Sequence, residues 1–552
     1  MSAPVRAGSL AAEVFARAGV RYVFGIPGGH IYPMMEGCAE RGIGFVGVRH
    51  EMTAAFAAEG WALTTGQLGV CTGTAGPGVT NMVTGMGNAA SGGYPVLYFG
   101  GRARVSEFDR NELQDFPQLP IVVHLCKYAR SVADPSRLPE YTAQAITQAT
   151  NGRPGPVYVE MPRDLMDGLI DPDTVPISQT PFAHATPQAS TSDIEKASTL
   201  IRAAQRPILI VGGGAWWSQA QDALAQFVEI TDIPFFTRNA ARGILPDSHP
   251  LYMNVGYNHP VLLHALQQCD LAIVVGTRPG FTLSRQAFPA GLNMIRIDID
   301  AAEATNQLDV TLPVIGDASA VLTQLAATLA GTMDEGRKQN VTWAQSVKNV
   351  CHQVSSSFVP ALTSDQYPIH PARLMAEIAS RIDQDTIVVM DGGDSAIWGA
   401  SFLPATGPGQ MLGISNNSFG PLGVGMGYSI AAALAHPDKK VIHLTGDGAF
   451  GYGAMEYETC LRFGLNITTV ILNDKMWGMI KRSEASHTGA SDFVGLDLGL
   501  TRYEKVVEAL GGYGEFVDQP GDIGPAIDRA LASGKPACVN VMTDPNIGPP
   551  SA

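Results

Sequence analysis

The segment from Lys439 to Gly478 constrains the fold more than any other stretch, because an acidic residue follows each of two predicted strands. The β-branched run Lys440–Leu444 and the apolar run Ile467–Leu472 are typical of buried strands, and the stretch between them has helical character. A strand, turn, helix and strand in this order predict two parallel neighbours. Asp447 and Asp474 are therefore expected at the carboxyl ends of these two strands.

Three glycines surround the first acidic residue and predict a phosphate-binding turn. Gly446, Gly448 and Gly451 let backbone amides approach phosphate oxygens closely. The same glycines satisfy G-x-G-x-x-G, so a dinucleotide site of an NAD-dependent oxidoreductase and a plain packing turn are the alternatives. We favour a metal-diphosphate site, because Asp447 inside the turn would repel a bare pyrophosphate by several kcal/mol at low dielectric. A divalent cation such as Mg²⁺ removes that conflict.

Length and composition indicate a large enzyme with well-filled cores. A chain of 552 residues predicts about three domains, and 45% hydrophobic against 16% charged residues indicates extensive burial. The net charge of −15 disfavours nucleic acid and anionic membranes as partners. The seven cysteines lack metal-binding spacing and are expected to be reduced core residues. The first twenty residues are typical of an amphipathic helix rather than a signal peptide, and no membrane span is indicated, so a cytoplasmic location is expected.

Two stretches rich in Ser, Thr and Pro divide the chain. They cover 171–193 and 355–370, and they predict domains at 1–170, 190–350 and 366–552. Strands and helices alternate in all three parts, which predicts an α/β protein with three doubly wound parallel sheets. The middle part is Rossmann-like in outline, but Gly212–Gly214 does not complete the dinucleotide motif, so nucleotide binding there is weakly indicated.

The glycine-Asp-glycine triplet followed about two dozen residues later by Asn473-Asp474 resembles the signature of thiamine-diphosphate enzymes. The resemblance covers the whole chain and is to the acetolactate synthase, benzaldehyde lyase and 2-hydroxyacyl-CoA lyase group. Further matching blocks start at Phe24, Thr74 and Ser418. It implies a pyrimidine-binding domain, a middle domain and a diphosphate-binding domain, with thiamine diphosphate and Mg²⁺ as cofactors. In several relatives the middle domain holds FAD or ADP.

The resemblance also implies which residues hold the cofactor. The metal ligands would be Asp447, Asp474 and the main-chain carbonyl of Met476, although many members carry Asn at the position of Asp474. Leu422 would bend the cofactor, unless it is simply a core residue, and the Gly420 carbonyl would accept from its 4′-amine. The complete implied cofactor set is Pro27, Thr74, Asn81, Asp391, Gly392, Gly393, Ser395, Gly420, Leu422, Gly446, Gly448, Ala449 and Met476.

Three residues are implied to be catalytic. Glu51 would share a proton with N1′ of the pyrimidine, whereas the local sequence alone fits an exposed first-turn glutamate favoured by the helix dipole. His30 and Gln114 match the histidine and glutamine that face the thiazolium in benzaldehyde lyase, whereas acetolactate synthases usually have a small residue at the position of His30. An imidazole there would shuttle a hydroxyl proton. The alternative is that His30 is a turn residue.

Three departures bear on the substrate. Arg163 and Ala396 stand where benzaldehyde lyase has aromatic residues, and Met479 is larger than its counterpart, so the phenyl pocket is not reproduced. Arg163 would bind a carboxylate or phosphate, or else form an ion pair with Asp164 or another neighbour.

The resemblance implies a lyase and carboligase acting on 2-hydroxy ketones and aldehydes. An acetolactate-synthase-like 2-oxo acid carboligase and a 2-hydroxyacyl-CoA lyase are the alternatives. The expected partners are small carbonyl compounds and further copies of the chain, as a homodimer or homotetramer.

Overall fold

A computed structural model describes residues 3–177, 184–253, 260–280, 283–414, 417–489 and 492–550. The strands in chain order are β1 (Val5–Arg6), β2 (Tyr22–Gly25), β3 (Gly44–Gly47), β4 (Gly69–Gly73), β5 (Val96–Arg102), β6 (Tyr128–Ser131), β7 (Val157–Pro162), β8 (Leu169–Ile170), β9 (Pro207–Val211), β10 (Phe235–Thr237), β11 (Leu271–Val275), β12 (Asn293–Asp298), β13 (Leu312–Ile315), β14 (Thr386–Met390), β15 (Met411–Gly413), β16 (Lys440–Gly446), β17 (Ile467–Asn473), β18 (Tyr513–Val517) and β19 (Ala537–Met542).

The α-helices are α1 (Ala7–Arg17), α2 (Tyr32–Glu40), α3 (Glu51–Thr65), α4 (Pro77–Thr80), α5 (Val83–Gly92), α6 (Leu119–Val122), α7 (Leu138–Thr150), α8 (Arg163–Asp167), α9 (Thr191–Ala203), α10 (Gly213–Trp217), α11 (Gln221–Thr231), α12 (Pro260–Leu266), α13 (Ala301–Thr305), α14 (Ala318–Leu329), α15 (Asp334–Ser357), α16 (Val359–Leu362), α17 (Pro371–Ala379), α18 (Asp394–Phe402), α19 (Val424–Ala435), α20 (Asp447–Phe450), α21 (Glu456–Phe463), α22 (Gly478–Thr488), α23 (Tyr503–Leu510) and α24 (Ile523–Ala532). Short 3-10 turns lie at Val105–Glu107, Pro135–Arg137, Pro172–Thr174, Asn239–Ala241, Arg285–Ala287 and Pro520–Asp522.

The chain divides into two compact units that do not follow the linear order of the sequence. The first unit contains residues up to 185 together with Phe419–Pro437 and Gly453–Leu465. The second contains 186–418, Asp438–Tyr452 and the chain from Asn466 onward. Helices α19 and α21 therefore belong to the first unit, although they lie within the part of the sequence assigned above to the third domain. The bounds of the three predicted domains stay predictions.

The first unit is built on a six-stranded parallel sheet in the order β3-β2-β4-β5-β7-β6. A separate antiparallel pair joins β1 to β8. Helix α3 is buried along nearly its whole length, and α19 packs closely against it. A Cβ added at Gly60 would lie 2.7 Å from the Tyr428 backbone, and one at Gly427 would lie 2.7 Å from the Phe56 side chain. The small residues of these two helices are thus required by close helix packing.

The second unit holds two parallel sheets. The middle sheet has the order β10-β9-β11-β12-β13. Alternate residues of β9 enter two separate cores, with Leu209 and Val211 on one face and Ile208 and Ile210 on the other, so helices cover both faces. The other sheet has the order β15-β14-β16-β17-β19-β18, and all its pairs are parallel. The predicted α/β class with three doubly wound parallel sheets is confirmed.

Smaller predictions have mixed outcomes. The second Ser/Pro-rich stretch is not a plain linker, because α15 continues to Ser357 and α16 follows it. All seven cysteines are free, but the expectation that all lie in the core is wrong for Cys126, Cys269 and Cys351, which are only partly buried. None of the described helices is long and apolar enough to cross a membrane.

Candidate functional site

The predicted residues of the first unit gather at one edge of its sheet. His30 follows β2, Glu51 follows β3, Thr74 follows β4, and the loop carrying Gln114 follows β5. Arg163 follows β7. Because all these strands are parallel, the residues lie at their common carboxyl edge, where open α/β sheets bind ligands.

Glu51 occupies the first turn of α3 and is buried, with 7% of its surface exposed. The preceding His50 caps the helix by accepting from the Met52 amide. Asn81, at the end of α4, donates its side-chain amide to Glu51 Oε2 at 2.9 Å. The sequence alternative of an exposed first-turn glutamate is therefore wrong. A buried carboxyl group held by an amide donor at a sheet edge suits controlled proton exchange with a ligand.

His30, Thr74 and Gln114 form a connected polar chain. His30 is buried, and its Nδ1 lies 2.9 Å from Thr74 Oγ1, which in turn lies 3.4 Å from Gln114 Oε1. Burial, and next the charge of Arg163, lower the pKa of His30 below its usual range. Gln114 has a left-handed backbone with φ of 61°, a conformation that costs energy for a side-chain-bearing residue. The sequence indicates these three residues separately, and the structure places them in contact with one another.

A buried glutamine that the sequence analysis missed holds this chain in place. Gln118 Oε1 accepts from the Gly76 amide at 2.9 Å, and Nε2 lies 2.7 Å from both the Gly101 carbonyl and Glu160 Oε2. A Cβ added at Gly76 would lie 3.3 Å from Gln114, and one at Gly101 would lie 2.4 Å from His30. Gln118 thus fixes the two glycines that contact the two predicted catalytic side chains. In the sequence, Gln118 is marked only by its position four residues after Gln114.

The remaining predicted site residues of the first unit are more exposed to solvent than Glu51 and His30. Pro27 and Gly420 are exposed, and Leu422 is partly buried just before α19. Arg163 pairs with Asp167 at 3.5 Å rather than with Asp164, which accepts from the Val105 amide instead. Its guanidinium lies against Gly29, because a Cβ added there would be 3.5 Å from Nη1.

In the second unit, Asp447 begins α20 directly after β16, and Asp474 follows β17. The parallel register pairs Gly446 with Leu472, which places both acidic residues at the same edge of the sheet. Asp447 Oδ1 accepts from the Gly448 amide at 3.0 Å, whereas its buried Oδ2 has no hydrogen-bond partner among the described residues. Burial and the nearby Asp474 raise the pKa of Asp447 to about 7. Burial raises the pKa of Asp474 to about 6.

Asn473 is fully buried and sets the turn that carries Asp474 and Met476. Its side-chain amide donates to Asn540 Oδ1 at 2.9 Å, and its own Oδ1 accepts from the Lys475 amide at 3.1 Å. Lys475 has φ of 64°, so the chain reverses here, and the Met476 amide then donates to Asp474 Oδ1 at 3.3 Å. This signature asparagine therefore shapes the turn through its own hydrogen bonds.

In the same unit, the turn after β14 lies close to the turn after β16. Asp391 is buried, and the Ser395 hydroxyl donates to its carbonyl at 2.6 Å. Gly392 has φ of +93°, and a Cβ on it would lie 2.3 Å from Ser395 Oγ and 3.3 Å from the Gly446 amide. A Cβ on Gly393 would lie 2.9 Å from the Met479 sulfur.

In the turn after β16, Gly448 is packed against the Trp477 ring as closely as Gly392 and Gly393 are packed against their neighbours. A Cβ on Gly448 would lie 2.4 Å from the Trp477 ring, and the adjacent Ala449 is buried. The two turns therefore lie close together at the carboxyl edge of the sheet, and glycine is required there because a side chain would collide with Ser395, Met479 or Trp477.

These residues fit a metal-bound diphosphate. A buried carboxylate oxygen without a partner, next to a second carboxylate, is costly unless a cation satisfies it. The described residues contain no group of three or more His, Cys, Asp or Glu side chains able to enclose a metal by themselves. Two carboxylates and a carbonyl would leave the remaining positions to ligand oxygens, as Mg²⁺ sites with phosphates do.

Arg482 is a further charged group that the sequence analysis missed. It lies on α22, contacts Asp394 Oδ2 and lies 3.6 Å from Asp474 Oδ2. Its Nη1 also donates to the Pro545 carbonyl at 2.9 Å, which ties the segment after β19 to this edge of the sheet. The sequence did not indicate this position of Arg482, because a single arginine on a helix belongs to no recognisable motif.

Three parallel sheets, two of which carry acidic, amide and glycine residues at their carboxyl edges, are typical of a multidomain α/β enzyme. Three domain descriptions of the thiamine pyrophosphate enzymes match the chain, the N-terminal TPP binding domain at residues 5–121, the central domain at 194–325 and the C-terminal TPP binding domain at 391–541. The chain belongs to the thiamine pyrophosphate (thiamine diphosphate) enzyme family. The NAD-dependent alternative is therefore set aside.

Curated relatives cover almost the whole chain. An acetolactate synthase large subunit of Mycobacterium tuberculosis is 34% identical over 99% of this chain and 97% of its own length. A 2-hydroxyacyl-CoA lyase of Arabidopsis thaliana is 29% identical over 98% and 96%. A 2-hydroxyacyl-CoA lyase 2 of Bos taurus is 30% identical over 97% and 89%. These relatives carry two different activities, so the comparison leaves the substrate open.

Proposed function

We propose that this enzyme is a thiamine-diphosphate-dependent lyase and carboligase that cleaves or forms the bond between a carbonyl carbon and a neighbouring carbinol carbon. The single observation that carries this proposal is the chain from His30 through Thr74 to Gln114. It provides proton-transferring and hydrogen-bonding groups in addition to Glu51, which a 2-hydroxy carbonyl substrate requires at its hydroxyl group.

The residues act in the following roles. Bound thiamine diphosphate supplies a nucleophilic thiazolium carbon and an electron sink for the acyl group. Glu51 holds a proton at N1′ of the pyrimidine, with Asn81 orienting its carboxyl group. In cleavage, His30 would take the proton of the carbinol hydroxyl as the bond between the carbonyl and carbinol carbons breaks. The electron pair of that bond would stay with the acyl part, where the bound cofactor would accept it, and the carbinol carbon would leave as an aldehyde or ketone. The neutral imidazole that this step needs agrees with the lowered pKa of His30.

We further propose that Mg²⁺ binds Asp447, Asp474 and the Met476 carbonyl, and that both glycine turns of the second unit hold the diphosphate. The unpartnered Asp447 Oδ2 supports the metal. Calorimetric titration of the protein with thiamine diphosphate, with and without Mg²⁺, tests this proposal. Equal affinity in the presence of a chelator would contradict it.

The substrate class is tested by offering pyruvate, an α-hydroxy ketone and a 2-hydroxyacyl thioester separately, with thiamine diphosphate and Mg²⁺, and following products by proton NMR. Aldehyde release from the hydroxy ketone or the thioester supports the lyase. Acetolactate formed from pyruvate alone would support the second candidate, an acetolactate synthase, which the mycobacterial relative favours. No product from any of the three would contradict both.

We also propose that the chain forms a homodimer or homotetramer, as its family resemblance implies. Exposed apolar side chains around Gln114 support a protein partner on this face, since Leu113 is 79% and Phe116 43% exposed. Mass photometry tests this, and a monomer at micromolar concentration would contradict it.

FAD or ADP in the middle domain is a separate proposal, based on the resemblance. The glycines there give it little support, because a Cβ at Gly212 or Gly214 would collide with Thr277 or Gly276, and packing alone explains them. The absorbance spectrum of the purified protein near the flavin band tests FAD, and release of nucleotide on denaturation tests ADP.

A further inference from the structure

Arg242, in the loop after β10 of the middle sheet, reaches the carboxyl end of α18. Its Nη1 donates to the Ala400 carbonyl, and its Nη2 donates to the Leu403 carbonyl at 2.6 Å. The side chain is only 17% exposed. The last carbonyls of a helix have no partners within the helix, and a cation there is favoured by the helix dipole. Arg242 therefore caps α18 from a different sheet layer.

Further contacts hold the loop and the helix end together. Asp247 lies 3.3 Å from Arg242 Nη2, and it accepts from the Ala405 amide at 3.0 Å. The Asp247 amide donates to the Ala405 carbonyl at 2.9 Å. Gly243 has φ of +82°, and a Cβ on it would lie 2.3 Å from the Gly407 carbonyl. The loop thus fits the chain after α18 closely, with an ion pair at the centre of the contact.

The opposite end of the same helix begins in the proposed diphosphate cradle. Gly393 is the N-cap of α18, and Ser395 in its first turn binds the Asp391 carbonyl. Nine residues of α-helix, about 14 Å in length, connect the two ends, and the hydrogen bonds within the helix couple them. A shift at the capped end would therefore move the Asp391–Ser395 turn by a similar amount.

We propose that Arg242 is a positioning residue for thiamine diphosphate, through which the middle domain sets the place of the diphosphate turn by holding α18. The inference rests on the proposed cofactor site. It gives the middle domain a part in cofactor binding without any nucleotide of its own.

The test compares Arg242→Met with a matched control, Arg381→Met. Methionine keeps the apolar stem and removes the hydrogen bonds. The Arg381 side chain is 16% exposed, close to the value for Arg242, and it also donates to a carbonyl in the last turn of a helix. That helix, α17, carries none of the proposed cofactor residues. Two quantities are measured, the Kd of thiamine diphosphate with Mg²⁺ by calorimetry, and hydrogen exchange of 391–403 without ligand.

We expect Arg242→Met to raise the Kd about tenfold or more, because the variant loses two charge-assisted hydrogen bonds to carbonyls at the end of α18, and to speed exchange of 391–403. Arg381→Met should lower the melting temperature and leave the Kd within about twofold. Arg242→Lys, which still donates to carbonyl oxygens, should recover part of the affinity, and it decides the question if the methionine variant does not fold.

The outcomes separate the two proposals. If the wild-type protein does not bind thiamine diphosphate, the proposed cofactor site fails and this inference fails with it. If the wild type binds and both Arg242 variants keep its Kd, the inference alone is overturned. Equal losses of affinity in Arg242→Met and Arg381→Met would also overturn it, since they would reflect general destabilisation.

Discussion

Replacing Gly448 with alanine tests the geometry of the diphosphate turn directly. The new Cβ would lie 2.4, 2.7 and 2.8 Å from three ring carbons of Trp477. Ordinary contacts of this kind begin near 3.4 Å, so the turn or the ring must move by roughly 1 Å, and overpacking of this size costs about 1–3 kcal/mol. If the turn moves, its amides no longer match the diphosphate. The Kd of thiamine diphosphate should then rise by about 5- to 150-fold.

Calorimetry at saturating Mg²⁺ measures this change, and Trp477 fluorescence reports the local rearrangement. Gly451→Ala is the control in the same turn, because Gly451 has φ of −58° and its added Cβ would lie at an ordinary 3.5 Å from the Gly448 carbonyl. Its Kd should stay within about twofold of the wild type. A wild-type Kd for Gly448→Ala, or equal losses in both variants, would refute the reasoning.

Four further predictions concern the first unit. Glu51→Gln should bind thiamine diphosphate but lose about 10²–10⁴-fold in turnover, and near-normal turnover in a steady-state assay would exclude the proton role. His30→Ala should slow cleavage and carboligation far more than it changes cofactor affinity, whereas unchanged rates in both directions would reduce it to a turn residue. Arg163→Met removes a cation that disfavours the imidazolium, so the pKa of His30 should rise and the acidic limb of the pH–rate profile should move to higher pH. Gln118→Leu leaves buried backbone groups unpaired at about 1–3 kcal/mol each, so both the melting temperature and kcat should fall, and unchanged values would show that the loop is held otherwise.

The features of this protein that its sequence predicts best are those set by neighbouring residues. The strand predicted at Lys440–Leu444 extends to Gly446, and the strand predicted at Ile467–Leu472 ends one residue later. Both acidic residues follow the carboxyl ends of their strands, and the parallel pairing of β16 and β17 brings these ends to one edge of the sheet. The glycine-rich turns are equally predictable from the sequence, because close approach of the backbone requires a residue without a side chain.

The sequence by itself therefore determined the α/β class, the three parallel sheets, the family and the edges at which the predicted residues lie. Periodicity and short motifs carry this information because they depend on neighbours a few positions away. Only the tertiary structure decided that α19 and α21 pack with the first unit, that Gln118 joins the turns beside His30 and Gln114, and that Arg242 caps α18. These contacts join side chains far apart in the chain, and no periodicity records them, because they arise only when separate sheets and loops pack together.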